Sequence, residues 1–313
     1  MQARQQAEAV TIATDSAQSI GASLWTAAKP VAVVLIHPGT AIGQRYYEPF
    51  ARYLTDLGFH AVTYDYRGTG RSRPASLRGV DVTMADWIEH DAAAVTRWAA
   101  ARFPDLPLFA VGHSLGGHAV ALSAATASLR GAVLVASHAG ATAGVTGAAE
   151  RARIWCVMRV LTPVLCAVFG YMPLKKLGLG DDLPAGVMRQ WSRWTALPRY
   201  FFDDPAMDAA ARMGRVAIPL LVLGFDDDPW ANRRAVDVLI APLVQASVER
   251  RHIKPAQAGL KAIGHMGFFR NRSAAPLWPQ VGLWLHQQMA TAGVDGKAAC
   301  PSQQPGDNGG HAG

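Results

Sequence analysis

The run GHSLGG at residues 112–117 constrains the fold more than any other feature of the sequence. It follows an apolar run at residues 106–111, typical of a buried strand, and precedes an alanine-rich stretch of helical character. A G-x-S-x-G pattern between a strand and a helix predicts a sharp turn that holds the serine side chain above the sheet. The first amides and the dipole of the following helix point to the same place, which suits a developing negative charge. Ser114 is therefore the predicted nucleophile.

The rest of the chain has the alternation of strands and helices that is expected around such a turn. Runs rich in β-branched residues alternate with runs that have helical spacing, which predicts a mostly parallel sheet with helices on both faces, the α/β class. Two short β-prone runs come first, at residues 10–13 and 19–25. The further predicted strands are residues 31–37, 59–64, 106–111, 132–137, 218–223 and 247–253, and the clearest predicted helices are residues 46–57, 86–101 and 275–288.

About eighty residues between the fourth and fifth strands of that parallel series do not alternate in this way. We therefore predict a catalytic core at residues 10–138 and 214–290, a helical cap insertion at residues 139–213, and a disordered tail at residues 294–313 that is rich in Gly, Pro and Gln. The rings of the insertion either form its own core or line an apolar substrate pocket. These rings are Trp155, Trp191, Trp194, Tyr200, Phe201 and Phe202.

A serine hydroxyl is a weak nucleophile until a base removes its proton, so the pattern requires a histidine and an acid later in the chain. His265 lies between small residues just before the last helix and is the predicted base. The acid is expected among three consecutive aspartates after the strand at residues 218–223. Counting from the end of that strand favours Asp227, whereas the proline that follows the run favours Asp228, which we take as the acid. A solvated acidic turn is the alternative.

The transition state of acyl transfer needs two hydrogen-bond donors for its oxyanion. One is the amide of Leu115, the residue after the nucleophile. The other comes from the loop after the strand at residues 31–37, as the amide of Thr40 or, alternatively, of Ala41. His37 and His113 have the residue type of a catalytic group, but their positions beside a loop and inside the turn favour a structural role.

Other chemistries find less support in the sequence. The net charge of +7 comes from scattered Lys and Arg with no basic run, so we expect no nucleic-acid partner. No phosphate-loop, dinucleotide-binding or metal-ligand spacing is present, so no cofactor and no metal are expected.

The apolar segment at residues 154–170 is short and contains Arg159 and Pro163, which favours a cap or core helix over a stable membrane span. The polar first ten residues lack a secretion signal, and we expect a cytoplasmic protein.

These motifs resemble those of a known family, the bacterial predicted α/β hydrolases related to serine esterases, peptidases and lysophospholipase-like proteins. The run YDYRGTGRS at residues 64–72 is similar to that fold's D-x-R-G-x-G-x-S loop, residues 112–117 to its G-H-S-x-G-G turn, and residues 264–269 to its terminal G-H-x-G loop. Residues 188–194 and 198–201 resemble the cap of a narrower subgroup. The resemblance implies ester or related acyl hydrolysis without a cofactor.

The leading hypothesis is therefore a serine-dependent acyl hydrolase whose small-molecule substrate has an apolar portion. Two alternatives remain open at this point: an acyltransferase that uses the same three residues, and a ligand-binding protein of the same fold without turnover. The sequence leaves the oligomeric state open.

Overall fold

The computed structural model describes residues 7–16 and 18–295, and an eight-stranded sheet forms its centre. The strand order is β1-β2-β4-β3-β5-β6-β9-β10, and only the β1–β2 and β2–β4 pairs are antiparallel. The strands are β1 Glu8–Ala13, β2 Ser19–Trp25, β3 Ala32–His37, β4 Phe59–Tyr64, β5 Leu108–His113, β6 Gly131–Val135, β9 Leu220–Phe225 and β10 Val248–Ile253. The short strands β7 Tyr171–Met172 and β8 Leu183–Pro184 form a separate antiparallel pair.

Every residue of β3, β4, β5, β6 and β9 is buried, so these strands need cover on both faces of the sheet. Helices supply it, and α1 packs beside α10 while α4 packs beside α8. The helices are α1 Glu48–Asp56, α2 Met84–Asp86, α3 Ala92–Arg102, α4 Leu115–Leu122, α5 Ala148–Cys156, α6 Thr162–Phe169, α7 Ala185–Ala196, α8 Ala209–Met213, α9 Arg233–Ile240 and α10 Ala274–Asp295. Single π turns join α2 to α3 and α5 to α6.

The register of the central strands gathers their carboxyl ends at one edge of the sheet. His37 at the end of β3 pairs with Gly112 in β5, and His113 at the end of β5 pairs with Val135 in β6. The loops that follow β3, β5, β6 and β9 therefore start close together. In open α/β sheets this edge is where ligands bind.

The segment between β6 and β9 contains α5 to α8 and the β7–β8 pair. Its longest helix runs continuously over Ala148–Phe169 and is, by length and composition alone, long and apolar enough to cross a membrane. Of the most apolar 18 residues of this helix, 22% are buried inside the protein. Arg159 on this helix is half-buried, and its Nη1 donates to Ser192 Oγ on α7. One face of the helix thus packs against the rest of the protein.

Several predicted boundaries are wrong by two or more residues, among them those of β5, β6 and β9. The first strand starts at Glu8 rather than at residue 10, because pairing with β2 carries the strand two residues beyond the apolar run. Helix α10 continues to Asp295, so residues 294 and 295 of the predicted tail are helical. The sequence between the predicted helix end and Asp295 contains no proline that would stop it. Residues 296–313, the remainder of that tail, lie outside the described residues.

Candidate active site

Ser114 occupies a strained turn between β5 and α4. Its backbone has φ +50° and ψ −110°, a conformation that residues with a side chain rarely adopt. Two neighbouring positions have no room for a side chain: a Cβ on Gly112 would lie 2.3 Å from the carbonyl oxygen of Gly116, and one on Gly116 would lie 2.1 Å from that of His37. The glycines therefore allow the tight approach that presents Ser114.

The structure brings Ser114, His265 and Asp228 into one hydrogen-bonded chain. His265 Nε2 is 3.0 Å from Ser114 Oγ, and His265 Nδ1 is 2.8 Å from Asp228 Oδ2. The second carboxylate oxygen, Oδ1, accepts hydrogen bonds from the amides of Trp230 and Ala231, at 2.9 and 3.0 Å. Burial of the Asp228 carboxyl opposes its ionisation, but the charge of His265 and its hydrogen bond outweigh burial and hold the pKa of Asp228 below its usual range.

The three adjacent aspartates have three different sets of partners. Asp228 contacts the histidine, whereas Asp227 accepts from the backbone amides of Ile263 and Gly264, at 2.8 and 2.9 Å. Asp227 therefore anchors the loop that carries His265. Asp226 forms an ion pair with Arg233, and its carboxylate is 2.8 Å from Nε2 of His252, whose pKa is lowered by burial.

A second hydrogen-bonded chain, behind the first, supports the position of His265. His113 Nε2 is 2.9 Å from the carbonyl oxygen of His265, which can only accept, so this nitrogen carries the proton. His113 Nδ1 is then an acceptor for the hydroxyl of Tyr47, 2.8 Å away, and that hydroxyl in turn accepts from the amide of Gly39. Burial lowers the pKa of His113 to about 3 and keeps it neutral. One chain thus fixes the loop after β3, the nucleophile turn and the histidine loop.

The residues that carry the predicted oxyanion donors line the same cavity as Ser114. They are Leu115, the first residue of α4, and Thr40 and Ala41. Ala41 has φ +62°, so the backbone bends at this point of the loop. Among the described residues, neither the Leu115 amide nor the Thr40 amide donates to another group of the chain. Both remain available to a ligand.

The cavity above Ser114 has a volume of about 1150 Å³ and lies between the sheet edge and the cap. Apolar side chains of the cap form much of its wall, namely Ile154, Val157, Met158, Met188, Trp191 and Tyr200. Of the six aromatic rings of the insertion, five take one of the two predicted roles and Trp155 takes neither; Phe202 is partly buried against the core. Trp194 and Phe201 are fully buried in the interior, Trp191 and Tyr200 line the cavity, and Trp155 faces solvent.

Two rings beside His265 were not found by sequence reasoning. His138 and Trp230 lie with their ring centroids 5.5 and 5.3 Å from that of His265, and both line the cavity. Burial, followed by the charge of His265, lowers the pKa of His138 to about 3, so its ring is neutral. Their positions after β6 and β9, at the carboxyl edge of the sheet, are the sequence signal that could have indicated them.

Trp230 also connects the cap to the loop that contains Asp228. Its indole Nε1 donates to Glu150 Oε1 on α5, at 2.7 Å, while its backbone amide donates to Asp228. Arg153 pairs with the same glutamate, and this hydrogen bond is the main cause of the lowered pKa of Glu150. In residues 7–16 and 18–295 no group of three His, Cys, Asp or Glu side chains could hold a metal ion.

The sequence pattern of the family described as serine aminopeptidase, S33, matches residues 28–183. Lysophosphatidylserine lipase ABHD12 of Rattus norvegicus is 41% identical over 63 residues, which are 20% of this chain and 14% of the rat protein. The protein of the same name from Gallus gallus is 44% identical over 64 residues, 20% of this chain and 15% of that protein. The matched part of the chain thus spans about a seventh of the length of these relatives.

Solved structures with the same fold cover most of the chain. A soluble variant of monoglyceride lipase from Saccharomyces cerevisiae, in complex with a substrate analog, superposes with a TM-score of 0.65 at 13% identity and covers 90% of this chain and 95% of its own. An esterase of Pyrococcus furiosus superposes with a TM-score of 0.61 at 14% identity, over 90% of this chain and 91% of its own. At these identities the likeness concerns the fold.

Proposed function

The chain belongs to the α/β-hydrolase superfamily, and from this premise we propose that it is a serine hydrolase that cleaves carboxylic esters through an acyl-enzyme on Ser114. One observation carries the proposal: Ser114, His265 and Asp228 form a continuous hydrogen-bonded chain that opens into a largely apolar cavity. An activated serine that faces a cavity of this kind is suited to attack the carbonyl carbon of a bound acyl group.

In the first half of the reaction, Ser114 Oγ attacks the ester carbonyl carbon while His265 Nε2 takes the hydroxyl proton. The carbonyl oxygen becomes an oxyanion that accepts hydrogen bonds from the Leu115 and Thr40 amides. When the tetrahedral intermediate collapses, the bond to the alcohol oxygen breaks, and His265 gives its proton to the leaving alcohol. The acyl group then remains on Ser114 as an ester.

In the second half, water replaces the alcohol. His265 takes a proton from the water as its oxygen attacks the acyl carbon, and a second oxyanion forms in the same place. Collapse of this intermediate breaks the bond to Ser114 Oγ, which recovers its proton from His265, and the carboxylic acid leaves.

Asp228 acts through His265. Its hydrogen bond to Nδ1 fixes the tautomer whose Nε2 lone pair faces the serine, and its ionised carboxylate stabilises the imidazolium that forms in both halves. The depressed pKa of Asp228 supports this role, because the carboxylate stays ionised well below neutral pH.

The walls of the cavity favour a substrate with an apolar acyl portion. Ile154, Val157 and Met158 from the long cap helix and Met188 and Trp191 from α7 offer apolar surface to such a group. The names of the similar proteins, a lysophosphatidylserine lipase and a monoglyceride lipase, agree with this class of substrate.

The proposal is tested by hydrolysis of nitrophenyl esters of increasing acyl length. We expect turnover by the wild-type protein, with kcat/KM that rises from short to medium acyl chains as more apolar surface is buried. Ser114→Ala should lower kcat by about four to six orders of magnitude, as removal of a serine nucleophile does in other hydrolases. Absence of turnover with every ester, or equal turnover by the Ser114→Ala protein, would contradict the proposal.

A further inference from the structure

The long cap helix Ala148–Phe169 has an outer side that nothing in the described part of the chain covers. The exposed apolar positions occur singly or in adjacent pairs that repeat about every four residues, and so lie along one side of the helix. Trp155, Val164 and Val168 are 55%, 54% and 62% exposed. We call the exposed apolar positions of this helix the outer cap face: Ala152, Trp155, Cys156, Val160, Pro163, Val164, Ala167 and Val168.

The outer cap face is unusual for this molecule. Six of the ten large apolar side chains that are exposed among the described residues lie between residues 155 and 179. Four of them belong to the outer cap face, and Leu177 and Leu179 follow in the next loop. Arg159, the one charged residue between 154 and 169, turns inward to Ser192. Contiguous exposed apolar surface of this kind marks an interaction site.

Basic residues border the outer cap face at both ends. Arg151 is exposed in the first turns of the helix, and Lys176 is exposed in the short turn Leu174–Leu177 that follows it. Arg153 and Lys175 are also exposed, but both line the cavity, and Arg153 is paired with Glu150. The ammonium of Lys176 lies 5.1 Å from the ring centroid of Phe169, the last residue of the helix. The acidic residues nearby are neutralised in part, since Glu150 pairs with Arg153.

The opposite side of the same helix lines the cavity above Ser114. Ile154, Val157 and Met158 contribute to the cavity wall, while Trp155 on the adjacent side faces solvent. A single helix therefore separates the candidate active site from whatever covers the outer cap face.

Two other occupants agree less well with these features. A membrane span would require the buried residues Ile154, Met158 and Cys166 to leave their packing against the rest of the protein. A second copy of the chain, related by a two-fold axis through the outer cap face, would bring the basic ends of two such faces near one another in a molecule that already carries a net charge of +7. An anionic lipid surface is complementary both to the apolar side chains and to the basic ends.

We propose that the outer cap face docks on the surface of an anionic lipid bilayer. The helix lies in the plane of the interface, and Trp155, Val164 and Val168 insert among the lipid headgroups and upper acyl chains. Arg151 and Lys176 at its two ends contact anionic headgroups. This surface is separate from the hydrolase activity, because docking needs neither Ser114 nor His265. In this position only the cap helix separates the cavity from the lipid.

The test is flotation of the Ser114→Ala protein with two kinds of vesicle, pure phosphatidylcholine and phosphatidylcholine mixed with phosphatidylglycerol. We expect the protein to float with the anionic vesicles, to bind the neutral ones less, and to be released by high salt. The double variant Val164→Asp/Val168→Asp should bind at least about tenfold more weakly, since burial of one valine is equivalent to about that factor. The matched control Val244→Asp/Leu283→Asp, at positions 78% and 65% exposed elsewhere, should bind like its parent.

Circular dichroism of both double variants would show that they fold like their parent. Failure of the parent to float with anionic vesicles would overturn the proposal, as would equal weakening by the control. A stable dimer in sedimentation that the Val164→Asp/Val168→Asp change dissociates, without vesicle binding, would identify a second copy as the occupant and overturn it too. Because the assay uses a protein without the nucleophile, its result is independent of whether the wild-type protein hydrolyses esters.

Discussion

At the scale of single residues, the acidic run 226–228 shows what a sequence can and cannot specify. Three identical side chains follow β9, and their directions depend on the backbone of one tight turn. The structure points Asp228 at the imidazole, Asp227 at the amides of the histidine loop, and Asp226 at basic residues outside the site. No property of residue type separates these roles, so the sequence narrowed the acid to Asp227 or Asp228, and only the proline after the run favoured Asp228.

Substitution of each acid by its amide separates the two inner roles. Asp228→Asn keeps the shape but removes the charge and favours the wrong histidine tautomer, so kcat should fall by about three to four orders of magnitude. Asp227→Asn keeps an oxygen for the loop amides and should lower kcat by about tenfold or less. Steady-state kinetics on one nitrophenyl ester measures both, and a larger loss in Asp227→Asn than in Asp228→Asn would assign the acid to Asp227.

Ser114 and His265 could be predicted because each lies beside glycines, and glycines at such positions indicate a sharp turn or a close approach of the backbone. His138 was not predicted as part of the site, although its position after β6 could have indicated it. The Tyr47–His113 chain was not predicted either, since the sequence does not show which buried ring reaches which loop. Their partners lie in segments far apart in the sequence, which only the complete fold brings together.

At the scale of elements, the nucleophile turn depends on the close passage of β3 beside the start of α4. The carbonyl of His37 at the end of β3 occupies the space that a side chain on residue 116 would need. The strained backbone of Ser114 is therefore maintained by packing between two elements and not by the turn alone.

Gly116→Ala should destabilise the protein and disturb the turn together. A Cβ 2.1 Å from the His37 oxygen forces the backbone apart, and a loss of about 3 kcal/mol or more in the free energy of unfolding is expected. Gly144→Ala is the matched control, because a Cβ there meets nothing within 4 Å, and its effect should be small. Urea unfolding of both variants is the measurement, and equal stability of the two would show that the β3–α4 contact is looser than described.

The cap is joined to the core at the acid loop. The Trp230–Glu150 hydrogen bond links α5 to the segment that holds Asp228, so a displacement of this helix would reach the catalytic chain through one side chain. The predicted limits of the insertion came from the interruption of the strand-and-helix alternation. The sequence did not predict which of the rings line the cavity, because packing decides which side of each cap helix faces inward.

At the scale of the whole molecule, several neutral histidines are buried at and beside the carboxyl ends of the central strands. Burial lowers the pKa of His37 and His118 to about 4 and of His113 and His138 to about 3. In the unfolded chain the same groups titrate at about 6.5. As pH falls from about 6.5 towards 4, the unfolded state therefore binds protons that the folded state does not, and the free energy of unfolding decreases. The buried carboxyl of Asp91, with its pKa raised to about 6, opposes this with one proton.

Urea unfolding should therefore give a lower free energy of unfolding at about pH 5 than at about pH 7.5, by an amount on the order of 1 kcal/mol for each of these histidines before the opposing carboxyl is counted. His118→Gln, which can still donate to the carbonyl of His138, should reduce the difference between the two pH values. A free energy of unfolding that is equal at both, or higher at the lower pH, would contradict the assignment of these rings as neutral.

The overall architecture followed from the sequence because the buried strands are continuous apolar runs and the turns between them contain glycine at fixed places. The α/β class, the nucleophile and the base were predicted on these grounds. The outer cap face was not, since the apolar segment 154–170 does not itself show which of its sides the core will cover.

The central claim is that Ser114 is an activated nucleophile, and covalent labelling with a fluorophosphonate tests it most directly. Ser114 Oγ attacks phosphorus, fluoride leaves, and the protein gains the mass of one phosphonyl group. Intact-mass spectrometry should find a single addition on the wild-type protein and none on Ser114→Ala under the same conditions. An unlabelled wild-type protein, or equal labelling of both, would contradict the account.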